Sequence, residues 1–264
     1  MIVVTGATGN VGRSLMELLG DKAVGVSRPA VDLASPATLE PVVAGAEALF
    51  LLLGGELLRP DTDVAGLLDV AKAGGVRRVV LLSSQGAGTR PGLLPHAVLA
   101  SFEDVVRQSS LEWTILRPSG FFSNTYAWAE PVREHGVCAA PFADVALPFV
   151  DPADIAAVAA EALAGGHEGR TYVLTGPEAL TPRERAGALS SVLGREIRFV
   201  EQSADEARAQ MLRFMPPVVV DGTLKILGEP TAAEQAVSGD VEKVTGRAAT
   251  GFAAWAERNA GAFR

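Results

Sequence analysis

The chain has 264 residues, 48% hydrophobic and 20% charged, with a formal net charge of −8 and an isoelectric point near 5.0. This describes a compact globular protein with a sizeable core, and its acidity speaks against nucleic acid or an anionic membrane as partner. The single cysteine, Cys138, excludes an internal disulfide, three scattered histidines leave no expected metal site, and no apolar run reaches the about 20 residues of a membrane helix, so a soluble cytoplasmic protein is expected.

The first element is a strand over residues 2–5, running into "VVTGATGNVG" (3–12). Gly6, Gly9 and Gly12 are each separated by two residues, and Val11, Leu15, Leu18 and Leu19 follow at helical spacing. Strand, tight turn and helix N-terminus together aim main-chain N–H groups at a diphosphate. Gly6 permits the turn, Gly9 lets backbone approach the phosphate, and Gly12 lets helix pack on strand. Thr8, Asn10 and Val11 complete the expected dinucleotide contact.

Further strands are expected at 23–27, 48–53, 79–83, 113–116 and 172–174, with helices at 10–19, 36–44, 61–73, 96–109 and 153–164. This alternation predicts an α/β fold, a doubly wound parallel sheet of Rossmann type. Helix starts are marked by "SPAT" at Ser35 and "DPAD" at Asp151, each with a capping residue before proline. "TPRE" at Thr181 adds a capping box through Glu184. The sheet reads as essentially complete by residue 120. A nucleotide-binding domain over 1–150 is expected, with strand and helix near 151–176 returning to it, and a smaller interleaved C-terminal substrate portion over 177–264. Arg77 and Arg78 read as solvated surface charges.

Five blocks occur in order: "TGATGNVGR", "VVLLSS" (79–84), "SLEWTILRPSGFFSN" (110–124), "FVDPADIAAVAAEAL" (149–163) and "YVLTGPEALTPRERAGALSSVLGR" (172–195). With them the whole chain resembles the NmrA-like branch of the atypical short-chain dehydrogenases/reductases, including its NADPH-dependent quinone reductases. The resemblance implies a nicotinamide cofactor lying across the strand ends where the sheet order reverses.

The tip of the second strand, "VGVSRP", offers Ser27 and Arg28 and no carboxylate. Arg28 suits a 2′-phosphate, which favours NADP(H) over NAD(H). Asp32-Leu33 follows Arg28 too closely for a helix and a parallel strand, since such a crossover needs about a dozen residues. One edge element is therefore expected to be missing. Leu52, Leu53 and Gly54 are expected beneath the adenosine ribose, and Ser83 and Ser84 at the ligand-binding end of a central strand. The resemblance puts the nicotinamide beside Pro118 to Phe121.

Many relatives use a Tyr-x-x-x-Lys proton donor. Here Tyr126 and Tyr172 have Glu130 and Gly176 four residues on, and His96 and Ala100 stand where the resemblance would put the pair. His96 is the remaining catalytic candidate. The aromatic-rich "FFSNTYAWAEP" (121–131) suggests Phe121, Phe122, Asn124, Tyr126 and Trp128 as contacts for a small planar substrate, with core packing as the equal alternative; Trp113 and Trp255 fit core positions. Residues 213–230 form either a pocket wall or a partner-binding surface. Three functions stay open: a reductase of quinones, enones or related carbonyl compounds; a non-catalytic NADP(H) redox sensor acting through a protein partner; and a tailoring enzyme of aromatic secondary metabolism. A homodimer is compatible with each.

Overall fold

The computed structural model describes residues 1–264. β1 (Ile2–Thr5) passes through the glycine turn into α1 (Asn10–Leu19), and β2 (Ala23–Val26) pairs beside it. A 3-10 turn (Pro36–Leu39) and the one-turn α2 (Glu40–Val43) cross to the other side of β1, where β3 (Ala48–Leu52) pairs. Then come α3 (Val64–Ala73), β4 (Arg78–Leu82), α4 (Gln85–Thr89), α5 (His96–Gln108) and β5 (Glu112–Pro118). A 3-10 helix (Phe122–Trp128) leads to α6 (Ala129–His135), β6 (Val137–Pro141), α7 (Pro152–Ala164), β7 (Arg170–Leu174), α8 (Pro182–Leu193) and β8 (Arg198–Gln202). The chain ends with α9 (Ala204–Met211), α10 (Pro217–Gly228), α11 (Ala232–Gln235), α12 (Asp240–Thr245) and α13 (Phe252–Arg258).

The main sheet has the order β2-β1-β3-β4-β5-β7 and is parallel throughout. Side chains alternate across it. Val3, Leu49, Leu51, Val79, Leu81 and Ile115 face the core shared with α3 and α5, whereas Val4, Phe50, Val80, Leu82 and Leu116 face the core shared with α1 and α7. Burial on both faces is why these strands read as continuous apolar runs. No strand lies outside β2, as the short link after Arg28 requires; Asp32 instead accepts from the Ala34 N–H (3.0 Å) in a tight turn.

Two expectations are corrected. The sheet is not complete at residue 120, because β7 extends it beyond β5. Arg78 is not a free surface charge: it donates to the Leu163 carbonyl (3.1 Å) and pairs with Glu112 and Glu168, tying β4 to the end of α7. β6 pairs in parallel only with β8, forming a small second sheet. This lobe packs through Phe122, Trp128, Phe149, Phe252, Trp255 and Phe263. The C-terminal segment also returns to the main body, where Asp240 of α12 accepts from the Val173 N–H of β7 (2.9 Å). The capping box at Thr181 and the helix cap at Asp151 form as expected, whereas the Ser35 side chain makes no cap bond.

Two buried carboxylates hold these parts together. Glu103 of α5, fully buried, accepts from the Ser83 hydroxyl (2.6 Å), from Arg107 (2.7 Å) and from two nitrogens of Arg117 (2.9 and 2.6 Å). Burial alone would raise its pKa, but these donors outweigh it and hold it below the usual carboxylate range. Glu234 of α11 takes a two-pronged bond from Arg90 (2.7 Å each), another from the Thr89 hydroxyl (2.7 Å) and one from the Thr231 N–H (2.8 Å). It latches the C-terminal segment onto α4.

Removing one partner of a buried ion pair costs about 3–5 kcal/mol. Glu103→Ala, which strands Arg117, is expected to lose that much in urea unfolding. Despite desolvation, its donors bring Glu234 down from 4.5 to about 2. The folded value lies below the unfolded one, so its contribution, about 3 kcal/mol, is present above pH ~4.5 and lost as pH falls toward 2. Melting temperatures measured from pH 6 to 2.5 should drop through that window, and Glu234→Gln should flatten the drop.

Candidate functional site

The glycine turn sits at the carboxyl end of β1, between β1 and β3, where the strand order reverses. Gly6 has φ +66°, a left-handed conformation that side chains rarely tolerate. A Cβ on Gly12 would collide with the Gly6 carbonyl oxygen and lie 2.8 Å from the Ala7 Cα. Gly9 caps α1 without a side chain, and the first turn carries no acidic residue. The main-chain N–H groups of Asn10, Val11 and Gly12 therefore find no acceptor within the chain. Three free donors at the positive end of a ten-residue helix fit a diphosphate. The Ala7 N–H bonds the Val26 carbonyl (3.3 Å), bringing the β2 tip, with Ser27 and Arg28, next to the turn.

Arg28 is exposed (78%) and faces only Glu56, at 3.8 Å. Leu52 packs against Gly6, and its N–H bonds the Thr5 hydroxyl (2.8 Å), which fixes the β3 tip beside the turn. Leu53 is buried in the core, and Gly54 follows in extended conformation. Thr8 is exposed, Val11 is buried under the sheet, and the Asn10 amide donates to Ser123 (3.0 Å).

A cavity of about 500 Å³ opens beyond the ends of β4 and β5. Ser84, His96 and the Pro118–Gly120 segment line its main-body side, Trp128, Phe149 and Arg185 the small lobe, and Met211, Phe214 and Ile226 the wall formed by α9 and α10. Residues 213–230 thus contribute a pocket wall. His96 is held where α4 meets α5; its ring fills the space that a Cβ on Gly86 would need. Burial, with a smaller push from Arg90, lowers its pKa against the pull of Glu234, so the imidazole is neutral at neutral pH.

The aromatic segment divides. Asn124 and Trp128 line the cavity, whereas Phe121, Phe122 and Tyr126, expected as substrate contacts, do not. Phe122 packs edge-on against Phe252 (5.3 Å), and Tyr126 lies against Trp255 and Phe263 with its hydroxyl on Asn259 (2.6 Å). Phe121 packs on the α1–α7 core. Of the rings in this segment only Trp128, at the end of the 3-10 helix, reaches the cavity. The Ser83 hydroxyl is committed to Glu103, and Ser84 lines the cavity. Tyr172 bonds His167 (2.8 Å) on β7, away from the cavity.

Sequence reasoning missed Thr125, Phe149 and Arg185. Arg185 did leave a signal. Pro182, Arg185, Ala186 and Leu189 form the buried stripe of α8, so an arginine occupies a position that helical periodicity reserves for an apolar residue.

Comparison with known proteins agrees with this geometry. A family profile described as NAD(P)H-binding matches residues 21–165. A (4-alkanoyl-5-oxo-2,5-dihydrofuran-3-yl)methyl phosphate reductase of Streptomyces griseus is 38% identical over 100% of this chain and 99% of its own. An NAD(P)H azoreductase of Xenophilus azovorans is 32% identical over 100% and 99%. The crystal structure of an NADPH-dependent quinone oxidoreductase from Escherichia coli in complex with NADPH superposes with a TM-score of 0.82, at 25% identity, over 98% of this chain and 99% of that one. With a glycine cradle, a parallel sheet and a cavity at its strand ends, the chain belongs to the NAD(P)H-binding family, in its NmrA-like branch, and is an NAD(P)H-dependent oxidoreductase.

Proposed function

We propose that the chain is an NADPH-dependent reductase of a small conjugated electrophile, such as a quinone, an enone or a butenolide, held in the 500 Å³ cavity. One observation carries the reading. Five buried side-chain nitrogen and oxygen atoms in the chain lack a hydrogen-bond partner, and four of them, His96 Nδ1 and Nε2, Thr125 Oγ1 and Arg185 Nε, belong to residues lining this one cavity. Buried polar atoms are normally satisfied, and their concentration in residues of one cavity lining supports a ligand-binding role for it. The similar Streptomyces griseus and Escherichia coli proteins are named for a butenolide and for quinones, which are acceptors of this kind.

When bound, NADPH supplies the hydride. The glycine turn would hold the diphosphate, and Arg28 with Ser27 would meet the 2′-phosphate, Glu56 being too distant and exposed a partner to compete strongly. Leu52 to Gly54 would border the ribose, and the Pro118–Gly120 backbone the reacting ring. Gly120 has no room for a side chain, since a Cβ there would lie 2.8 Å from the Phe149 ring. The neutral His96 offers one N–H to the substrate carbonyl oxygen, where negative charge grows as hydride adds to the conjugated carbon. Water then supplies the proton, so an acceptor of this class needs no Tyr-x-x-x-Lys pair. The chain's work is to orient and to exclude bulk water.

Purified protein should consume NADPH at 340 nm with a panel of quinones, enones and butenolides; tight NADPH binding without consumption by any of them favours the sensor reading instead. His96→Ala should lower kcat about 10–100-fold, one lost hydrogen bond in the transition state. Burial lowers the His96 pKa from its ordinary value, so its ionisation lies on the acid side of neutrality and wild-type kcat should be flat from pH 7 upward. Arg28→Asp should shift the ratio of NADPH to NADH affinity toward NADH by tenfold or more, a change of about 1.4 kcal/mol.

A further inference from the structure

We infer that the cavity's substrate carries an oxyanion, a phosphate monoester or a carboxylate, and that Arg185 anchors it. The inference rests on the substrate-cavity reading above but does not need hydride transfer. Arg185 is buried (7% exposed) and lines the cavity. Its guanidinium lies over the Phe149 ring at 4.3 Å and near the Trp128 ring at 5.5 Å. None of the chain's ion pairs includes it, its side chain donates no hydrogen bond within the chain, and Nε is orphaned. The half-buried arginines Arg90 and Arg117 behave otherwise, each gripping a carboxylate with two nitrogens.

A buried cation with aromatic neighbours and no counter-charge is costly, because ring faces compensate only part of its desolvation. Burial brings its pKa down to about 10, which leaves it charged at neutral pH. Nothing else in the cavity neutralises it. His96 is neutral, and both Glu234 oxygens are occupied by Arg90, Thr89 and the Thr231 N–H. The cavity therefore presents one uncompensated positive charge against an otherwise largely apolar wall. The orphan Thr125 hydroxyl and the Asn124 amide add neutral donors on the same lining. Planar guanidinium and oxyanion match in geometry. The ligand this lining fits has a flat apolar body for Trp128 and Phe149 and an anionic substituent for Arg185.

Calorimetric titration of the NADP⁺-saturated protein with phenyl phosphate, benzoate and phenol tests this, the cofactor keeping the probes off the glycine turn. The expected result is that at least one anion binds tenfold or more tighter than phenol, and the tighter of the two identifies the oxyanion. Arg185→Met should abolish that preference and Arg185→Lys should keep part of it; if Arg185→Met does not fold, the lysine variant and the wild-type comparison still decide. Phenol binding as tightly as both anions, or a methionine variant that retains the preference, overturns the inference. A protein that shows the anion preference yet oxidises no NADPH sinks the reductase reading and leaves the anchor standing.

Discussion

The Glu103 carboxylate is the constraint on which the site geometry depends. Fully buried, it would be untenable alone, and its donors come from three directions: Ser83 at the end of β4, Arg117 at the end of β5, and Arg107 one turn along its own helix. The charge thereby fixes α5 against the carboxyl ends of the two central strands. That placement determines where His96, the first residue of α5, stands relative to Ser84 and the Pro118–Gly120 segment. A hydrophobic contact would hold the helix as firmly but would allow it to slide; a carboxylate with fixed donors specifies register as well as proximity.

The cavity then arises from a division of labour between the two sheets. The main sheet supplies rigid strand ends, while the small lobe, packed around Phe122 and Trp255, sets Trp128 of the 3-10 helix, Phe149 of the loop after β6 and Arg185 of α8 across from them. The Glu234 latch closes the third side by drawing the segment after α10 onto α4.

How much of this was legible in the sequence follows from the range of the forces involved. The glycine spacing, strand runs and proline-marked helix starts are local signals, and the elements lie within a few residues of the expected places. The missing edge strand was legible too, because a chain segment too short for a crossover is a purely covalent limit. What the sequence left open depended on direction in space. Phe121, Phe122 and Tyr126 share a composition with Trp128, and only the 3-10 winding, set by the lobe they pack into, decides which rings reach the cavity. Ser83 and Ser84 follow β4 one residue apart, and the partner that claims Ser83 lies 20 residues away on α5. The β6–β8 pairing joins segments 61 positions apart, with no periodicity to announce it.

The bare flank of β2 has a consequence for the molecule's company. With no outer neighbour, this border strand leaves peptide groups and the exposed Val24 open to water, the kind of margin on which foreign chains can be recruited. Its ladder is only four residues long and ends in a proline-bearing bend at Arg28-Pro29. So brief a template offers an incoming strand too few bonds to repay its ordering.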